Sequence, residues 1–139
     1  MPEYATLRDK IAAEKEERYE RYKQFRAIYE EAQLAGRAAG ELAVPEPMVI
    51  VGYEHEPVND GVCGFAWVNV RPGNSSFARW LKKENLGRTD SYAGGVTIWI
   101  SAWGQSYERK MAHAQAMAES LKSHPLLAGA KVYASGRLD

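Results

Sequence analysis

The stretch Gly64-Phe65-Ala66-Trp67-Val68-Asn69-Val70, then Arg71-Pro72-Gly73-Asn74-Ser75-Ser76, then Phe77-Ala78-Arg79-Trp80-Leu81 decides the fold. It reads as an apolar strand, a polar turn and a helix that opens on Asn or Ser. The plan recurs at Val96-Thr97-Ile98-Trp99-Ile100, Ser101-Ala102-Trp103-Gly104-Gln105-Ser106 and a helix from about Tyr107. Asn74, Ser75, Ser101 and Ser106 are capping residues by type, and Pro72-Gly73 supplies turn chemistry. About 25 residues, including one helix, join the two strands. That is enough for a right-handed crossover between parallel strands, although a helix can also return a chain antiparallel. The parallel arrangement is the expectation. It brings both helix N-termini, with their unpaired N–H groups and positive dipole ends, to one edge of the sheet.

Working outward, residues 3 to about 43 read as one long helix. Charged helix formers dominate, and Gly36 is the first glycine. Tyr4, Leu7, Ile11, Tyr22, Phe25, Ile28 and Tyr29 recur at spacings of three and four and form one stripe. About 40 residues at 1.5 Å each span roughly 60 Å, longer than a small domain is wide. Part of this helix is therefore expected to project, to bend near Gly36, or to pair with a second copy. Gly36-Arg37-Ala38-Ala39-Gly40 permits close helix approach, but fraying is the expected meaning. Pro45-Glu46-Pro47 closes the helix. A strand is expected at Met48–Tyr53, a loop at Glu54–Asp60, and a second strand at about Val62 to Val70. A helix from Asn74 to about Asn85 should end with Gly87 as its C-cap. Arg88 to Gly95 reads as a polar loop. The third strand spans Gly95 to Ser101, the last helix about Gln105 to Ser123, and a short edge strand Lys131 to Ser135.

The fold class is thus α+β. A long N-terminal helix precedes a small four-stranded sheet packed with two helices, in the order β-β-α-β-α-β. Residues 1–44 form a helical arm for oligomerisation or packing, and residues 45–139 form the α+β domain. Phe77, Trp80 and Leu81 should face the core from the middle helix, and Tyr107, Met111, Ala114, Ala118 and Leu121 from the last. Trp67 and Trp99, mid-strand, are expected in the core.

Apolar residues make up 45% of the 139 and aromatics 11%, which suits a folded domain. Lys plus Arg total 18 and Asp plus Glu total 18, so no global field steers the chain onto nucleic acid or an acidic membrane. Anion binding must come from a local arrangement. One cysteine, Cys63, cannot form an internal disulfide and is expected as a small buried hydrophobe. The start of the chain carries no signal-peptide pattern and no run is long enough to span a bilayer. The expected setting is the cytoplasm.

Expected ligand-binding residues are Arg71, Asn74, Ser75, Arg79, Ser101, Trp103, Gln105, Ser106 and Arg109. Guanidinium groups beside helix N-termini suit a phosphate or carboxylate, and Trp103 in the turn suits stacking on a base. No catalytic set is expected. His55, His113 and His124 are far apart, no nucleophile-elbow sequence occurs, and Glu54-His55-Glu56 makes a weak metal site. No cofactor is expected.

The segments Pro47-Met48-Val49, Gly61-Val62-Cys63-Gly64-Phe65-Ala66-Trp67-Val68, Arg71-Pro72-Gly73-Asn74-Ser75 with Phe77-Ala78-x-Trp80-Leu81, Tyr92-x-Gly94-Gly95, Gly104-Gln105-Ser106-x-Glu108-Arg109-Lys110 and Ser135-x-Arg137-x-Asp139 resemble an uncharacterised family of small proteins encoded by tailed bacteriophages and prophages. The resemblance covers about residues 45 to 139 and implies a phage setting in the bacterial host cell. It supplies no catalytic or binding residue. Three readings follow. The first is a non-catalytic accessory protein that occupies a host protein or sequesters a small anionic or nucleotide ligand, self-associating through its N-terminal helix. The second is a nucleic-acid-binding protein of phage DNA metabolism. The third is a virion or scaffold component.

Overall fold

The computed structural model of the chain describes residues 6–45 and 62–139. The strand expected at Met48–Tyr53, the loop Glu54–Asp60 and the Glu54-His55-Glu56 motif lie outside the described residues. The elements are α1 (Leu7–Leu42), β1 (Gly64–Arg71), α2 (Ser76–Lys83), β2 (Arg88–Thr89), β3 (Val96–Trp99), α3 (Tyr107–Lys122) and β4 (Lys131–Leu138). The four strands form one sheet in the order β2-β3-β1-β4, antiparallel at every pairing. The α+β class, the long first helix and a four-stranded sheet packed with two helices are as expected.

The register overturns the expected parallel pair: Trp67 lies opposite Trp99, and Val70 opposite Val96, in antiparallel strands. The cause lies in the connection. It holds a helix and also the two-residue strand β2, in a segment that reads as polar loop. The α2 crossover therefore returns the chain parallel to β1 at β2, and a tight turn then reverses it into β3. That turn uses Gly94 at φ +83° and Gly95 at φ +73°, a region glycine enters without a Cβ penalty. The result is a split β-α-β arrangement, with β3 and β1 central and β4 at an edge.

Alternation along β1 sorts the two sheet faces. Ala66, Val68 and Val70 are fully buried and meet Ile98, Val96 and Val132 on the helix side. Phe77, Trp80 and Leu81 of α2 and Ala114, Met117, Ala118 and Leu121 of α3 complete this core. Tyr107 and Met111 are half-buried. Helix α2 begins at the N-cap Ser75, whose hydroxyl accepts from the Ala78 N–H, and α3 at Ser106, whose hydroxyl accepts from the Arg109 N–H.

The end of α2 is set by Asn85, not by Gly87. Asn85 sits at φ +58°. Its N–H donates to the Lys82 carbonyl (3.1 Å) and the Leu86 N–H donates to the Leu81 carbonyl (2.9 Å), the paired bonds of a Schellman motif. Asn85→Gly should leave stability unchanged or slightly raised, whereas Asn85→Ala should cost about 1 kcal/mol, because alanine keeps the Cβ but lacks the short polar group that lets asparagine occupy the left-handed region. Urea midpoints of the two variants check this.

Helix α1 forms a third layer over α2 and α3. Thr6 caps it by accepting from the Asp9 N–H. From Leu7 to Arg21 no residue is buried, and Leu7, Ile11 and Tyr19 are well exposed. From Phe25 onward the helix joins the core. Phe25 meets Phe77 edge-on at 5.3 Å and Trp80 at 6.1 Å. Further along, Ala32, Gly36 and Gly40 are all buried and line up at four-residue spacing. A Cβ on Gly36 would come 2.4 Å from His113 Cδ2, and one on Gly40 would come 2.4 Å from Trp103 Cε2. The helix continues unbroken to Leu42. The two glycines are a seat for α3 and its leading turn, which replaces the expected fraying or bend.

Candidate functional site

The second sheet face carries Phe65, Trp67, Asn69 and Arg71 from β1, Thr97 and Trp99 from β3, Arg88 from β2, and Lys131, Tyr133, Ser135 and Arg137 from β4. Trp67 and Trp99, expected in the core, belong to this face because the alternation of β1 gives the helix side to its small residues. Trp67 is half-buried and Trp99 is 50% exposed. Their ring centroids are 4.9 Å apart, and Phe65 meets Trp99 edge-on at 6.2 Å. The three rings form one row on the two central strands. The guanidinium of Arg137 lies 5.4 Å from the Phe65 ring centre. Beside the row, a depression of about 270 Å³ is lined by Trp67, Trp99, Thr97 and residues 88–91, which bring both the Arg88 guanidinium and the Asp90 carboxylate to it.

One end of the face is polar and closed. Asn69, fully buried, donates to the Gly94 carbonyl (2.9 Å) and to Thr97 Oγ1 (3.2 Å). Thr97 Oγ1 donates to Asp90 Oδ2 (3.2 Å), and Arg71 Nε donates to Asn69 Oδ1 (3.2 Å). Arg71 also donates to the Tyr133 hydroxyl, and its guanidinium lies 5.1 Å from that ring's centre. Asp90 Oδ1 accepts from the backbone N–H groups of Ala93 (2.8 Å) and Tyr92 (2.9 Å). Those two bonds, ahead of Thr97 and Arg71, hold the Asp90 carboxyl below its ordinary range. The chain of bonds runs from the β2–β3 turn across β3 and β1 to β4. It stiffens the sheet from its open side, and each member is engaged by another.

The nine residues expected to bind ligand do not converge. With β1 and β3 antiparallel, the turn after β1 and the turn after β3 lie at opposite ends of the sheet, about 17 Å apart over five strand residues. Arg71, Asn74, Ser75 and Arg79 lie at or beyond one end. Arg71 is held by Asn69 and Tyr133, Ser75 caps α2, and Asn74 and Arg79 are exposed. Ser101, Trp103, Gln105, Ser106 and Arg109 lie at the other. Ser101 and Gln105 are exposed, and the Gln105 carbonyl accepts from the Gly64 N–H. Ser106 is fully buried as the α3 cap. Trp103 adopts φ +76° and donates its indole N–H to His113 Nδ1 (3.1 Å) while packing on Gly40. Arg109 lies over the Trp103 ring at 5.9 Å. The pocket on a shared edge therefore does not form. Cys63 is half-buried rather than buried.

Sequence reasoning missed Phe65, Trp67 and Trp99 as a surface, and with them Arg88 and Arg137. The signal was present in the period-two pattern Phe65-x-Trp67-x-Asn69-x-Arg71. An aromatic run that ends in Asn and Arg on one face opposes Gly, Ala, Val and Val on the other. Among the described residues no group of His, Cys, Asp and Glu is placed to hold a metal ion, and no helix is long and apolar enough to cross a membrane. Compared with protein-family profiles, with curated proteins and with solved structures, the chain matches none.

Proposed function

We propose that the protein is a non-catalytic binding module that holds a planar, anionic ligand of the nucleotide class against its open sheet face. One observation carries this reading: Trp99, half exposed on a central strand, is in ring contact with both Trp67 and Phe65, while Arg88 and Arg137 stand on the strands to either side. A half-exposed indole continuous with two partly buried rings is an apolar surface of the kind that marks a binding site. Aromatic faces beside guanidinium groups suit bases and phosphates. RNA-binding modules with a four-stranded sheet use their helix-free face in this way, which is an analogy of layout.

Binding without chemistry suits the polar groups on the face. Asp90 is held ionised by two backbone N–H groups, and Asn69, Thr97 and Arg71 are spent on each other. The likeness to small phage proteins makes the cytoplasm of an infected bacterium the setting of this proposal.

The test is a fluorescence titration, because the indoles are both site and probe. Thymidine monophosphate should quench tryptophan emission saturably. The Trp67→Ala/Trp99→Ala double variant should retain its circular dichroism and bind at least about tenfold more weakly, as expected for loss of base stacking. Equal binding by parent and double variant would remove the sheet face from consideration.

A further inference from the structure

Resting on that reading, we infer that the ligand is a single-stranded nucleic acid lying across the strands of the sheet, rather than one free nucleotide. The argument is the extent and direction of the surface. A mononucleotide needs one ring and one cation. This face offers three contiguous rings, with Phe65 and Trp67 both within 6.2 Å of Trp99. Successive bases of an extended strand can each meet a ring, since every base has a π-face.

The cations are arranged for a chain as well. Arg88 lies on the β2 edge and Arg137 on the β4 edge, with the aromatic row on the two strands between them. Three strand spacings separate β2 from β4, roughly 14 Å, too far for one phosphate to touch both. Arg88 is level with Asn69 and Arg137 with Phe65, four residues along β1, so the line between the two cations crosses the sheet diagonally past Trp99 and Trp67. A strand on that diagonal places bases on the central rings and backbone phosphates near both edges. Lys131, opposite Arg71 on β4, extends the basic edge on the same face. This local charge lies on a molecule of zero net charge, so attraction is confined to the face. Duplex nucleic acid is excluded as the preferred form because its bases are stacked on each other and offer no free face to the rings.

The experiment compares thymidine monophosphate, a hexathymidylate single strand, a hexauridylate single strand and a short DNA duplex on the full-length protein. The hexanucleotides should bind at least about 100-fold more tightly than the monophosphate, in line with two or more stacked bases. With about three phosphates contacted, the logarithm of the affinity should fall with the logarithm of salt at a slope near −2. Arg88→Ala and Arg137→Ala should each weaken hexanucleotide binding and shallow that slope, whereas only one of the two should weaken binding of the monophosphate, which reaches a single cation. A similar affinity for both hexanucleotides assigns recognition to stacking and phosphate. A preference for hexauridylate places a 2′-hydroxyl contact in the same strand-binding site. Equal affinity for monophosphate and hexanucleotide would overturn the inference and leave the nucleotide site standing. Hexanucleotide binding that persists in the Trp67→Ala/Trp99→Ala variant would overturn it too, by moving the strand elsewhere. Binding of neither ligand would sink the site itself.

Discussion

Gly36→Leu should destabilise the fold by about 3–5 kcal/mol, from overpacking together with breakage of buried hydrogen bonds, and Gly40→Leu should do the same. A glycine inside a helix normally costs about 1 kcal/mol relative to alanine, so the two glycines of α1 should be easy to improve. The geometry reverses that sign. Any Cβ at Gly36 would stand 2.4 Å from the His113 ring, and any Cβ at Gly40 would stand 2.4 Å from Trp103. Neither ring is free to step aside. The Trp103 indole donates to His113 Nδ1, and His113 Nε2 lies 2.9 Å from Gln33 Oε1. A side chain at either glycine must therefore lift α1 from α3 or break those bonds. Ala38→Leu, on the exposed side of the same turn, is the control and should change stability by less than about 0.5 kcal/mol. Urea unfolding of the variants distinguishes the cases. If Gly36→Leu behaves like Ala38→Leu, the seat is not a close contact.

This seat also shows where sequence reasoning succeeds and where it stops. The long helix was legible because its apolar stripe and charged helix formers agree. The α2 and α3 starts were legible because Ser75 and Ser106 are capping types in the right places. The meaning of Gly36 and Gly40 was not legible. Small residues at four-residue spacing say that a neighbour can come close, but the neighbours are 63 and 77 residues away along the chain, at Trp103 and His113. Strand direction failed for a similar reason. Two residues, Arg88 and Thr89, decide it, and a two-residue polar strand has no periodicity to read. The site then failed with the direction, because a helix N-terminus at the wrong end of a sheet points away from its intended partner. The aromatic face was within reach. Reading Trp67 as core followed from its mid-strand position, whereas its placement on the face opposite Val68 and Val70 follows from alternation.

Acid should weaken the contact between α1 and α3 through His113. His113 is 2% exposed. Because the Trp103 indole N–H must donate to Nδ1, the ring is the neutral tautomer with its proton on Nε2, facing Gln33 Oε1. Burial, with a smaller contribution from the Arg37 charge, holds its pKa below the ordinary 6.5. Well above pH 6.5 the imidazole is neutral in folded and unfolded chains, and the full stability is present. As pH falls below 6.5, the unfolded chain takes up a proton that the folded chain resists, so stability declines until the lowered folded pKa is passed. Protonation at Nδ1 would set two N–H donors against each other. The Asp90 carboxylate, also lowered, gives a separate window. Its contribution is present above 3.8 and is lost as pH falls through its depressed value. His113→Gln should cost about 1–3 kcal/mol at neutral pH, because the Trp103 donor and the Gln33 acceptor lose their shared partner. It should also flatten the stability profile just below pH 6.5 while leaving the more acidic loss in place. Urea midpoints for parent and variant at closely spaced pH values give both quantities. A parent profile that stays level as pH drops below 6.5, or a variant that keeps the parent's slope there, would show that His113 does not control this contact.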